Sequence, residues 1–140
     1  MFVITDCCMQ ETKFNPYYGH VATKLASLDR KYRVAMQFNL WDRVRQLGDM
    51  KKFQLNNLAL LAKFLIIEKA QSLGLLKVIE FAGLMVYSDF WIVNKGQLYL
   101  DLDKANMKLL KIILAGILQE LDSDKIFDLF KVLTFHIYTW

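Results

Sequence analysis

Residues 30–47 read RKYRVAMQFNLWDRVRQL, and their winding decides the fold class. At about 100° per residue, Met36, Leu40, Val44 and Leu47 fall on one stripe. Val34, Phe38 and Trp41 fall on a second stripe beside it. Lys31, Asn39, Asp42, Arg43 and Gln46 share the opposite face. An apolar arc this wide predicts a helix that packs against two neighbours, as in stacked helical hairpins. Asp29 stands before it as a cap and Gly48 after it as a stop, so the helix is expected over Arg30–Leu47.

Upstream, Asn15-Pro16 pairs an N-cap residue with proline at the first helical position. A helix is predicted from there to about Leu28, and Met1 to Gln10 reads as the end of an earlier one. Downstream, Leu58, Leu61, Ala62 and Leu65 recur at helical spacing within Phe53–Lys69, and a shorter helix is expected over Ser72–Phe81. Gly83 to Leu100 loses the helical period, which predicts an irregular insert, a loop or a small hairpin. The pattern resumes at Asp103: Lys104, Lys108, Lys111, Ala115 and Gln119 form a small or polar stripe against an aliphatic remainder. The last helix spans about Asp124 to Tyr138, capped by Ser123, with Asp122, Asp124 and Asp128 near the end where negative charge suits the helix dipole. Six helices with short connections and one insert make an all-α fold. A HEAT-like stack of antiparallel helical hairpins fits the paired apolar faces, although periodicity alone leaves a compact bundle open.

Composition bounds the function. A chain of 140 residues is one domain, 1–140, or a piece of one. Hydrophobic residues make up 55% and aromatics 14%, which excludes a disordered tail. The longest stretches without charge run ten residues, as in Phe53 to Ala62, too short for a membrane span. The mean hydropathy of +0.23 is high for a small domain and predicts a sticky exposed face or a missing part of the domain. Net charge is +4, all of it within residues 1–52, and the four arginines (Arg30, Arg33, Arg43, Arg45) lie within sixteen residues. Such a patch suits nucleic acid or an acidic partner, or is a solvated helix face.

Chemistry is sparse. The two cysteines, Cys7 and Cys8, are adjacent and have no distant partner, which points to a reducing compartment. Together with the isolated His20 and His136 they do not form a zinc set. Asp101 and Asp103 lack a third acidic ligand at calcium-loop spacing. Phosphate-loop, dinucleotide and nucleophile-elbow motifs are absent. A nucleophile pair from Cys7 or Cys8 with His20 reads better as small hydrophobes on a helix beside a surface histidine. The N-terminus does not read as a signal peptide, because Asp6 interrupts it. The chain therefore reads as an interaction module, not an enzyme, with no cofactor and no small-molecule substrate. Lys31, Arg43 and Arg45 are the candidate partner- or RNA-binding residues.

Several stretches then carry a family resemblance: Asp6-Cys7-Cys8-Met9-Gln10-Glu11, Asn15-Pro16-Tyr17-Tyr18, Gln37-Phe38-Asn39-Leu40-Trp41-Asp42, Leu55-Asn56-Asn57-Leu58-Ala59 and Leu76-Lys77-Val78-Ile79-Glu80-Phe81. Their order and spacing resemble the MI (MA-three) domain, in the version found in nucleolar MIF-type scaffold proteins of small-subunit ribosome biogenesis. The resemblance implies a non-catalytic protein-interaction domain in the nucleus and nucleolus, acting in pre-ribosomal particles and pre-rRNA processing. It implies that the domain's first helices are lacking here and that 83–100 is an insertion. MI domains elsewhere bind DEAD-box helicases of the initiation factor 4A kind. In the nucleolar scaffolds the neighbouring domain holds the helicase, so a helicase contact of this chain is an open expectation. The motif residues Asn15, Pro16, Tyr17, Tyr18, Phe38 and Trp41 are expected to be structural, the aromatics as packing groups. Direct RNA binding through the basic helix 30–47 stands as the alternative.

Overall fold

The computed structural model describes residues 1–76 and 104–138, with side chains to residue 131. The expected insert at 83–100 lies outside the described residues. Among the described residues six α-helices follow in order: α1 Phe2–Gln10, α2 Pro16–Leu28, α3 Arg30–Val44, α4 Lys52–Ile67, α5 Lys104–Glu120 and α6 Ser123–Tyr138. Short 3-10 turns lie at Leu47–Asp49 and Leu73–Leu76. The arrangement is all-α, a HEAT-like stack of helical hairpins.

Local chemistry sets the joints. Asn15 accepts from the Tyr17 amide at 3.1 Å, and Pro16 occupies the first turn of α2. Asp29 is extended and serves two helices. Its amide donates to Leu25 O at the end of α2, and its carboxylate accepts from the Lys31 amide at 2.9 Å to start α3. The expected helix to Leu47 stops at Val44, because the chain tightens into the Leu47–Asp49 turn ahead of Met50. In the region read as a helix from Ser72, the described part is the 3-10 turn Leu73–Leu76. There the Ser72 hydroxyl accepts from the Gly74 amide at 3.2 Å.

The core is built around α4. Leu55, Leu58, Ala59, Leu61, Ala62, Leu65 and Ile66 are all buried and share one broad side of that helix, while Lys52, Phe53 and Asn56 on the other side are exposed. An apolar arc this wide needs several neighbours, and α1, α2 and α5 pack against it. On α2, Gly19 permits the approach: a Cβ there would sit 2.4 Å from the Phe64 ring. On α5, Leu109, Ile113 and Ile117 face inward. Leu58 and Ala62 line the same aliphatic gap as Leu109 and Ile113, while Lys63 lies across Gly116 and pairs with Glu120. Residue numbers therefore rise together along the contact, so α4 and α5 run parallel, as the first helices of successive hairpins do.

Two buried amides tie elements together. Asn57, on α4 and 1% exposed, donates to Cys8 O at 3.1 Å and Glu11 O at 2.7 Å. It thereby satisfies carbonyls that the end of α1 leaves without helical partners. Gln71 donates to Arg33 O at 2.8 Å, and the Arg33 guanidinium returns a bond to Lys69 O at 3.1 Å. Lys69 closes α4 in the left-handed region, at φ 59°.

Stripping a buried polar group of its partner costs about 1–3 kcal/mol. Asn57→Ala orphans two carbonyls, so urea unfolding should show a loss of roughly 2–4 kcal/mol. A loss below about 0.5 kcal/mol, the usual range for an uninvolved surface site, would mean that α1 is not held this way.

Candidate protein-interaction surface

The outward face of α3 differs from the one the winding suggested. Lys31, Val34, Ala35, Phe38, Asp42 and Arg45 are exposed, and they share one face at helical spacing. Phe38, expected in the core, is 56% exposed, and Val34 beside it is open as well. Asn39, expected on the polar face, is fully buried, and neither its amide nitrogen nor its oxygen has a hydrogen-bond partner among the described residues. The reason is that α3 carries apolar residues on both sides. Met36 and Leu40 face the core, and this rotation leaves Val34 and Phe38 in water.

Trp41 sits at the edge of that face, half-buried. Its indole N–H donates to Leu75 O at 3.0 Å, fastening α3 to the Leu73–Leu76 turn. Its ring meets Phe38 edge-on, with centroids 5.6 Å apart. Trp41 is thus tied to the turn after α4, and Phe38 packs against it while remaining open to solvent. Tyr17 and Tyr18 divide in the same way. Tyr17 is exposed; Tyr18 is half-buried and donates to Glu11 Oε1 at 3.0 Å. That bond raises the Tyr18 hydroxyl above the ordinary tyrosine range.

The three candidate basic residues do not form one free patch. Lys31 lies 3.6 Å from the Asp29 carboxylate, and Arg45 bonds Asp42 at 2.9 Å. Arg43 turns away from both, is largely covered, and pairs with Asp6 of α1. It forms one wall of a polar cleft of about 300 Å³ with Asp6, Gln10, Gln46, Asp49 and Gln54. The aliphatic gap between α3, α4 and α5 holds about 10 Å³ and has no polar wall to hold a water or a ligand.

Cys8 is fully buried in the core, where burial pushes its thiol up to about 12, with Glu11 adding to the rise. Cys7 is exposed, so the expectation of two small buried hydrophobes holds for Cys8 alone. His20 is exposed and packs edge-on against Phe64 at 4.9 Å. Among the described residues no group of three or more His, Cys, Asp or Glu could hold a metal ion. No described helix is long and apolar enough to cross a membrane.

Comparison with known proteins bears on this surface. The family model described as the MA3 domain matches residues 1–72. The chain is 31% identical over 118 residues to the human "Nucleolar MIF4G domain-containing protein 1", covering 84% of this chain and 12% of that protein. It is 30% identical over 130 residues to the Drosophila melanogaster homolog, covering 93% of this chain and 13% of that one. With the Schizosaccharomyces pombe "Suppressor of glycerol defect protein 1" it shares 35% identity over 91 residues, 59% of this chain and 12% of that protein. The chain thus spans only 12–13% of the length of these relatives. No solved structure matches it. The nucleolar compartment expected of the chain is the one the animal relatives carry in their names.

The two aromatics of α3 should separate in stability measurements. Trp41→Ala removes a packed ring and orphans Leu75 O, and core aromatic deletions cost about 3–5 kcal/mol. Phe38→Ala should cost only the edge-on ring contact, about 0.5–1.5 kcal/mol. Equal losses in thermal melts would place Phe38 in the core after all. The thiols should separate as well. At pH 8 the native chain should take up one alkylating label, on Cys7, and a second only on unfolding. Two fast-reacting thiols in the native chain would contradict the burial of Cys8.

Proposed function

The chain belongs to the MA3 domain family, and from that premise we propose that it is a non-catalytic protein-docking module of a nucleolar scaffold. The scaffold's work on this reading is small-subunit ribosome biogenesis and pre-rRNA processing, within pre-ribosomal particles. We take residues 1–140 as a single such module, since α5 packs on α4 as a further layer of the same stack.

One observation carries the reading: the exposed pair Val34 and Phe38 on α3, flanked by Lys31 and Arg45. An aromatic anchor set among charged residues is the composition that protein interfaces favour at their energetic centres. The positions that turn outward lie in and beside the family-like stretch Gln37–Asp42, so this stretch serves both the fold, through Trp41 and Leu40, and the surface, through Phe38. A DEAD-box helicase of the initiation factor 4A kind is the first partner to test. Direct RNA binding through Lys31, Arg43 and Arg45 is the weaker reading, because each of the three already has a carboxylate beside it.

Phe38→Ala in the complete protein should leave the melting curve close to normal and reduce co-sedimentation with pre-ribosomal particles at least tenfold, about 1.4 kcal/mol of binding. Normal co-sedimentation of that variant would remove the α3 face from the interaction. Loss of purified-helicase binding by the same variant would identify the partner.

A further inference from the structure

The stripe Lys104, Lys108, Lys111, Ala115 and Gln119 is the solvent side of α5. It lies opposite the buried Leu109, Ile113 and Ile117, with Lys104, Lys111, Ala115 and Gln119 exposed and Lys108 half-exposed. It carries no carboxylate. The one acid on α5, Glu120, turns to Lys63 on α4. Neither Lys108 nor Lys111 has an ion-pair partner among the described residues, in contrast to Lys31, Arg43 and Arg45. The parallel course of α4 and α5 brings Lys51 and Lys52, both exposed, to the same end of the molecule. Two neighbouring lysines of α5 are thus left without a carboxylate, whereas Arg43 and Arg45 at the end of α3 are each paired with one.

We infer that this outward ridge of α5 is a docking surface for the phosphate backbone of RNA. Successive lysines on the ridge rise about 4.5–6 Å along the axis, a row of point charges that can track a repeating anion. Lysine binds phosphate as a point charge, without the planar fork that arginine uses for bidentate pairing. A protein partner would call for an aromatic or arginine anchor at its centre, and the ridge has neither, its exposed neighbours on α5 being the aliphatic Met107 and Leu118. The ridge has no aromatic side chain on which a base could stack, and its charges meet only the phosphates, which makes the recognition largely independent of sequence. The inference goes beyond the α3 docking face and uses none of its residues.

The test is binding of a fluorescein-labelled oligouridylate to the whole 140-residue chain, followed by anisotropy across a salt series. Lys108→Gln with Lys111→Gln should leave the melting curve unchanged. Two lost contacts should flatten the salt slope by about 1.4 units, roughly 25-fold weaker binding at 0.1 M salt when the curves converge at 1 M. Lys108→Arg with Lys111→Arg should retain binding. Lys13→Gln with Lys24→Gln, the same charge change on and before α2, should leave it intact. Any one of four results would overturn the inference: no salt-dependent binding by the unmodified chain, a ridge variant that binds like it, an equal loss in the α2 control, or displacement of the RNA by polyglutamate at matched charge, which would mark the ridge as an acidic-protein site.

Discussion

The burial of the broad apolar side of α4 is the constraint on which the rest of the structure depends. A helix with so wide an arc of Leu, Ile and Ala has no stable orientation in water until several neighbours cover it. The neighbours α1, α2 and α5 are each fitted to it by a specific device. Asn57 takes the loose carbonyls of α1, Gly19 lets α2 approach the Phe64 ring, and Lys63 lies along Gly116 of α5. The charge-free run Phe53–Ala62 is the sequence trace of this enclosure. Once α4 is covered, the orientation of α3 follows, because Met36 and Leu40 must join the same core.

That orientation produces the proposed docking surface. With Met36 and Leu40 inward and Trp41 bonded to the Leu73–Leu76 turn, Val34 and Phe38 have no place in the core. The excess apolarity of the chain therefore appears outside, as an aromatic patch set between paired charges. The burial of the Asn39 amide, which has no hydrogen-bond partner among the described residues, is a second result of this rotation. The exposed patch and the buried amide are thus two results of one turn of the helix.

Much of the fold was legible because capping and periodicity are local. Asn15-Pro16, Asp29 and Ser123 placed helix starts, and the inward Leu109, Ile113 and Ile117 opposite the lysine stripe followed from spacing alone. The surface was less legible. Winding α3 offers two apolar stripes, and which one meets the core depends on what α1, α2 and the turn after α4 present to it, a tertiary matter. Reading both stripes as buried put Phe38 inside and Asn39 outside, the reverse of the structure. The charges misled for a related reason. Arg43 and Asp6 are thirty-seven positions apart, so their pairing, which takes Arg43 out of the arginine cluster, is invisible to a count along the chain. Asn57 sat within a family-like stretch, and its role became readable only once α1 was seen to end beside it.

The central claim is that α3 presents Phe38 to a partner while holding Trp41 and Met36 in the fold. Hydroxyl-radical footprinting of the complete protein, free and within pre-ribosomal particles, reads this side chain by side chain. The account predicts strong labelling of Phe38 and weak labelling of Met36 in the free protein, with Phe38 alone becoming protected in the particle. Protection of Phe38 in the free protein, or unchanged labelling on assembly, would contradict it.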